Sequence, residues 1–388
     1  MMQHKSYVAK ILLLLICSLL LFLNFSSSVD QETVTSTVKQ QYKNKEGFIA
    51  SYGDGERDTS PILLESLGQY MEYLLIVGDS QEFEEQFLLL QSNFTVNTDE
   101  GIFLKWQLEE DVTANASVDD YRIIRTLLRG GEQFHNSSYT NFAGQIWDTM
   151  NKTQTVNGLI VDFYDWSSQQ RTSEIHLSYI DYDVLEKLQA SKLPRYKQIL
   201  SDGLTDKIFF NEIYNPENNS YHTANAETVN MIDQFLIAIQ YAESTHEKPK
   251  SFHDWVQTQM QNNGILYGGY DRNTGKPVVN YESSAVYALA LIYSLTVDDQ
   301  QMSETLYSQL QKQSPLQADP NYNDIHFFDY MYASYAATLY KEQKAVVDCF
   351  FYPLIYAYSS CVSVSAPNAR VAPHTLSTSA PLISASIS

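Results

Sequence analysis

Apolar residues recur at three- and four-residue spacing along most of the chain, in runs separated by short polar or glycine-containing links. Thr59-Ser60-Pro61 reads as a helix start, with Ser60 able to cap and Pro61 suited to the first helical position. That helix runs to about Val77 and is ended by Gly78-Asp79; a second spans Gln81 to Gln91. Asp119 to Leu128 carries Ile123, Ile124, Leu127 and Leu128 at helical spacing and is expected to stop at Gly130-Gly131. Further helices are expected near 132–149, 181–191, 194–201, 225–243, 251–262, 282–296, 299–313 and 325–341. No strand pairs bounded by hairpin turns stand out, and Gly158 to Phe163 is the best strand candidate. The pattern implies one large all-α domain. Its succession of roughly ten helices fits an (α/α) toroid of helical hairpins, with an inner ring buried on both sides and an outer ring half exposed.

The two ends break this pattern. His4, Lys5 and Lys10 precede an apolar run from Ile11 to Phe25, followed by Ser26, Ser27 and Ser28. Residues 1–28 therefore read as an export signal, cleaved or retained as an anchor. The run is about fifteen residues, shorter than the roughly twenty of a membrane span. Cys17 follows Ile16, where a lipoprotein signal calls for a small residue. After Lys344 the only charged residues are Asp348 and Arg370, and Ser, Ala and Pro dominate from Ser359. The last helix is expected to end at Lys344, leaving 346–388 as a low-complexity tail; a natural disordered tail and a shifted reading frame both fit that composition. The folded body is 29–345.

The chain has 388 residues, 44% of them apolar, so it can bury a sizeable core. Its 25 basic and 46 acidic residues give a net charge of −21, a field that repels phosphate backbones and argues against nucleic acid. Membrane contact is expected only through an uncleaved N-terminal anchor, and a monomer is expected. Nothing from Ser18 to Asp348 is a cysteine, which excludes a disulfide framework and a thiolate metal site in the body. No Gly-rich phosphate loop, His-Glu-x-x-His or Gly-x-Ser-x-Gly is present, and the eight histidines are scattered. No metal or organic cofactor is implied.

Three segments carry acids into helix starts. Glu65, Gln69 and Glu72 form a polar stripe on a helix that is otherwise Leu, Ile, Met and Tyr. By itself this fits the solvated face of an amphipathic helix. Gly68 costs that helix roughly 1 kcal/mol against Ala, which suggests that something approaches its backbone closely. Asp119 and Asp120 open the next long helix, where capping alone accounts for acids near the positive dipole end. Tyr281-Glu282 precedes the apolar helix from Val286, where the same alternative applies.

Taken in order, these segments resemble glycoside hydrolase family 8, the (α/α)6-barrel enzymes that include endoglucanases, chitosanases and xylanases. The family's Ser-Glu-Gly-x-x-Tyr-Gly-Met is matched loosely by Leu64-Glu65-Ser66-Leu67-Gly68-Gln69-Tyr70-Met71. Its Ala-Thr-Asp-Gly-Asp-Leu-x-Ile is matched by Ala116-Ser117-Val118-Asp119-Asp120-Tyr121-Arg122-Ile123, and its Tyr-Asp-Ala-x-Arg by Tyr281-Glu282-Ser283-Ser284-Ala285. The similarity spans roughly residues 45 to 345.

The resemblance implies that Glu65 is the general acid, that Asp120 binds the sugar ring at the cleavage point, and that Glu282 stands where the water-activating Asp is placed. Glu for Asp adds a methylene, and the family's arginine is replaced by Ala285. Asp119, Asp162 and Glu174 are other acids that could serve. Trp106 and Tyr179 fall where family enzymes carry cleft residues, and Tyr281, Gln69 and Asp119 join them as substrate-binding candidates.

Inversion needs two carboxyls roughly 6.5–9.5 Å apart with a water between them, and an acid that keeps its proton near neutral pH. Burial would favour that proton, whereas the helix N-terminus would oppose it. The expectation is an exported hydrolase cutting a β-linked polysaccharide, such as an exopolysaccharide or biofilm glycan, internally and with inversion. The rivals are a glycan-binding protein on the same scaffold that has lost its base, and a helical-toroid lyase using Tyr or His beside an Arg.

Overall fold

The computed structural model describes residues 33–204 and 207–362, with side chains to residue 345. The export segment 1–28 and the tail beyond 362 lie outside the described residues. Two compact units are present, Met1–Glu342 and Gln343–Ser388.

After a short helical stretch over 33–37 and a π turn at Val38–Tyr42, the long helices follow in sequence. They are α1 (Leu64–Val77), α2 (Ser80–Leu89), α3 (Ser117–Gln133), α4 (Ser137–Thr153), α5 (Tyr182–Leu188) and α6 (Leu193–Gly203). Then come α7 (Met231–Thr245), α8 (Lys250–Asn263), α9 (Ser284–Thr296), α10 (Gln300–Leu310) and α11 (Phe327–Val362). No helix among the described residues is long and apolar enough to cross a membrane.

Burial separates the helices into two kinds. Ten of the fourteen residues of α1 and ten of the thirteen of α9 are buried, and α9 is apolar on all sides. In α10 only Met302, Ser303, Leu306 and Leu310 are buried, the spacing of a helix that covers a core on one face. Within the first unit, every second helix contributes to one interior cavity of about 150 Å³: Gln69 from α1, Arg125 from α3, Asp183 from α5, Gln240 from α7, Leu289 from α9 and Tyr332 from α11.

The polar stripe of α1 is therefore not a solvated face. Gln69 is only 5% exposed, and Glu72 pairs with Arg125 and Arg122 of α3. Gly68 is the expected close approach: a Cβ there would lie 3.0 Å from Cδ of Arg122.

Several sequence expectations are corrected. The fold is mostly helical but not purely so: five small antiparallel sheets interrupt the helices. The hairpin β1 (Thr95–Thr98) and β2 (Gly101–Leu104) precedes α3. Between α4 and α7 come β3 (Thr155–Val156), β4 (Leu159–Ile160), β5 (Tyr164–Asp165), β6 (Gln170–Arg171), β7 (Ile175–His176), β8 (Ile213–Asn215), β9 (Ser220–His222) and β10 (Thr228–Asn230). β10 pairs with β11 (Gly269–Asp271). The expected strand 158–163 is only β4, closed onto β3 by Asn157-Gly158. Both turn residues have positive φ, the requirement of a tight hairpin turn, and that dipeptide was the missed signal.

Pro61 does not open α1. Its carbonyl accepts from Ser51 N and Oγ, which pins the chain into a bridge before the helix begins at Leu64. Gly130-Gly131 do not stop α3, which runs through to Gln133. The Phe83 ring sits where a Cβ of Gly130 would lie, so the glycine serves packing rather than termination. The last helix does not end at Lys344 but continues to Val362.

Replacing Gly130 with Ala tests this packing. A new Cβ would stand 2.6 Å from Cζ of Phe83. Overpacking of about 1–3 kcal/mol should outweigh the helix-propensity gain of about 1 kcal/mol, lowering the thermal midpoint. A midpoint that rises would show that Phe83 yields.

Candidate active site

The site assembles where inner helices begin. α1 has no side-chain cap: Leu63 precedes it, and Leu64 N donates 2.9 Å to the carbonyl of Trp106. Glu65, half-buried in the first turn, thus sits beside the Trp106 loop, whose ring is 41% exposed. In α3 neither acid caps the helix, since the N-cap is Ala116 and Asp119 and Asp120 lie inside the first turn. The capping reading fails for both.

The two acids face different ways. Asp119 is buried and accepts from Nη1 of Arg122 at 2.9 Å. Its neighbour Glu65 also acts on it electrostatically. Burial, helped by Glu65 and opposed by Arg122, pushes the Asp119 carboxyl up to about 7. Asp120 is 1% exposed, bonded to Nδ2 of Asn115, which also donates 2.6 Å to Gln154. It lies under that amide network rather than beside Glu65. Burial raises its pKa well above the usual range.

Tyr179 joins the group from a 3-10 turn, Leu177–Tyr179, after β7. Burial pushes its hydroxyl up to about 12, reinforced by Asp162, Asp233, Asp119 and Glu65. Four carboxylates therefore lie within electrostatic reach of one phenol. Tyr332 of α11 is held near Arg122, Glu72 and Glu65.

Asp162 is paired with His176, and Asp233 accepts from Oγ of Ser178 at 3.0 Å. Burial raises the Asp233 pKa, opposed by the Ser178 bond and by His176. Asp233 sits in the first turn of α7. It was not among the sequence candidates because an acid in a helix's first turn reads as dipole complementation.

Glu282 is engaged elsewhere, whereas Tyr281 reaches the Asp233 side of the group. Glu282 is exposed and bonded to the Tyr287 hydroxyl; it acts electrostatically on Tyr270 and Tyr287. The cap of α9 is Ser283, and Asp329 of α11 accepts from Ser284 Oγ and Ala285 N. Tyr281 is 58% exposed with its ring over Gly268, and it lines a cavity of about 450 Å³ together with Asp233, Asn225 and Asn230. Glu174 pairs with His222 at 3.2 Å. Among the described residues no cluster of His, Cys, Asp and Glu is arranged to hold a metal ion.

From Arg122 the charges continue along α3 towards its exposed end. Arg125 bonds both Glu72 and Asp181, and Arg129 pairs with Asp183 at 2.9 Å. A ladder of alternating charge thus follows one face of α3.

No family model matches the chain. PssZ from Listeria monocytogenes is 32% identical, with a TM-score of 0.71 over 80% of this chain and 95% of that one. The chain belongs to PssZ's family. A curated relative, "Putative lipoprotein YdaJ" of Bacillus subtilis (strain 168), is 32% identical over 244 residues, 61% of this chain and 65% of that protein. The chain thus spans just under two thirds of that relative's length. A Clostridium perfringens structure described as a novel alpha-amylase is 18% identical with TM-score 0.69, over 80% of this chain and 97% of that one. The family 8 endoglucanase Cel10 from Klebsiella pneumoniae is 12% identical with TM-score 0.57, over 81% and 99%. These two share the fold.

In this chain the buried Asp119 makes stability depend on pH. A carboxyl whose folded pKa is raised holds its proton longer folded than unfolded, so it costs stability as pH climbs from about 4 towards 7. Asp119→Asn removes that cost. Measured against wild type, its thermal midpoint should gain on the order of 1–3 kcal/mol equivalent between pH 4 and 7.5. An unchanging gap across that range would contradict the assignment.

Proposed function

We propose that this chain is an exported glycoside hydrolase that cleaves a β-linked polysaccharide with inversion, Glu65 acting as general acid. The observation that carries this reading is that Glu65 and Asp233, each in the first turn of its helix, both act electrostatically on Tyr179, as do Asp119 and Asp162. The (α/α)6 toroid is part of the proposal, supported by the alternation of helices around one cavity. Export is supported by the N-terminal sequence and by the lipoprotein description of the Bacillus relative.

For the base we favour Asp233 over Glu282, because Asp233 shares Tyr179 as a neighbour with Glu65 whereas Glu282 is engaged with Tyr287. Water would give a proton to the Asp233 carboxylate as its oxygen bonds the anomeric carbon. The glycosidic C–O bond would break on the opposite face, its oxygen taking the Glu65 proton. Asp119, held by Arg122, is the better candidate than Asp120 to accept from sugar hydroxyls at the cleavage point. Trp106, Tyr179 and Tyr281 supply flat aromatic faces, and Gln69 supplies an amide below the acid.

Glu65→Gln should lower turnover of the cleaved glycan by about 10²–10⁴-fold while circular dichroism and thermal midpoint stay near wild type. Asp233→Asn should do the same, with Glu282→Gln far milder. The panel should include β- and α-linked glycans, and NMR of the first product anomer should show inversion. Full activity in Glu65→Gln would end the assignment.

A further inference from the structure

His176 and Asp162 form a dyad that the proposed hydrolysis leaves without a task. Asp162 Oδ1 accepts from His176 N at 2.8 Å, and Oδ2 lies 2.6 Å from Nδ1 of the same residue. The carboxyl therefore grips both backbone and ring. Asp162 is itself fixed, being 7% exposed, with its carbonyl accepting from Ser117 N at 2.7 Å and its N–H donating to Glu174 O at 3.0 Å. The His176 ring is stacked on Tyr179, centroids 5.1 Å apart and planes at 27°. Two residues further on, Ser178 Oγ bonds Asp233. One short segment, 176–179, thus delivers an imidazole, a hydroxyl and a phenol to the Asp233 side of the site.

We propose that the Asp162–His176 pair is a positioning dyad that holds a positive charge against Asp233 and keeps this carboxylate ionised, ready to take the proton of the attacking water. The role assigned to Asp233 rests on the hydrolase reading above; the electrostatic pairing does not. Asp162 grips His176 from the loop after β4, while Asp233, in the first turn of α7, and Glu174, from its own segment, act on the ring through their charge. All three are carboxylates. Burial disfavours the charged ring, but the Asp162 bond and the three negative charges outweigh it and raise the His176 pKa. At Asp233 the balance is reversed: burial resists ionisation, and Ser178 and His176 are what oppose burial. Holding the second nitrogen through Asp162 fixes the ring in place, as a carboxylate does for an imidazole in other acid–base sites. The dyad acts through Asp233, without bonding to the substrate.

The test uses the full chain with carbon-13-labelled Asp side chains, so that Asp233 is titrated directly, its signal assigned by its loss in Asp233→Asn. His176→Asn keeps a donor for Asp162 but removes the charge; Asp162→Asn leaves the ring without its anion; His176→Arg keeps the charge. The Asp233 midpoint is expected to rise by about half a unit to one unit in the first two variants and to stay near wild type in the third. On a glycan that wild type cleaves, the acid limb of the kcat/KM profile should move up by the same amount. An unmoved Asp233 midpoint in folded His176→Asn and Asp162→Asn overturns the proposal, as does a fall in kcat/KM with no shift of the acid limb. If no glycan is cleaved but the midpoint moves, the dyad stands and the hydrolase reading falls.

Discussion

The architecture around the site turns on one requirement: the two inward arginines of α3, Arg122 and Arg125, must each meet an acid, while the exposed Arg129 extends the row. Arg122 meets Asp119 and Glu72, Arg125 meets Glu72 and Asp181, and Arg129 meets Asp183. An uncompensated buried charge costs on the order of 3–5 kcal/mol when its partner is removed. Misplacing α1 or the start of α5 relative to α3 would strand one of these charges. The ladder therefore fixes the depth of Glu72 along α1. Glu65 lies two turns earlier on the same face, so its position follows from the same register.

The same arrangement explains why carboxylates can crowd together at the helix starts. Arg122 neutralises part of the field at Asp119, and His176 does so at Asp162 and Asp233. First-turn placement adds the partial positive charge of each helix N-terminus. Burial works against all of these, and at Asp119, Asp162 and Asp233 it is the larger influence. The result is that Asp119, Asp162 and Asp233 all hold their protons more tightly than a free carboxylate does. The short strands between α4 and α7 bring the other components, since β7 and the turn after it carry His176, Ser178 and Tyr179.

Much of this was readable in advance. Helical periodicity marked α1, α3, α9 and most of their partners, and the three acid-bearing segments indicated the fold family. Gly68 was legible as a point of close approach, though not that Arg122 was what approached. Gly130 misled, because a glycine that makes room for Phe83 and one that ends a helix look the same in sequence. Asn157-Gly158 was a hairpin signal hidden by strands of only two residues each.

The sequence by itself determined the local facts: which residues are helical, where charge and apolarity alternate, and that Glu65, Gln69 and Glu72 share one face. Those follow from a period of 3.6 residues and need no partner. Only the tertiary structure decided which way that face points, because an inward polar stripe and a solvated one have the same periodicity. It also separated Asp119 from Asp120, adjacent in sequence but turned by about 100° on the helix, towards Arg122 and Asn115 respectively. It brought Asp233 to Tyr179 and Ser178 across more than fifty residues of chain. Contacts that distant are set by packing between elements, a property no local pattern records.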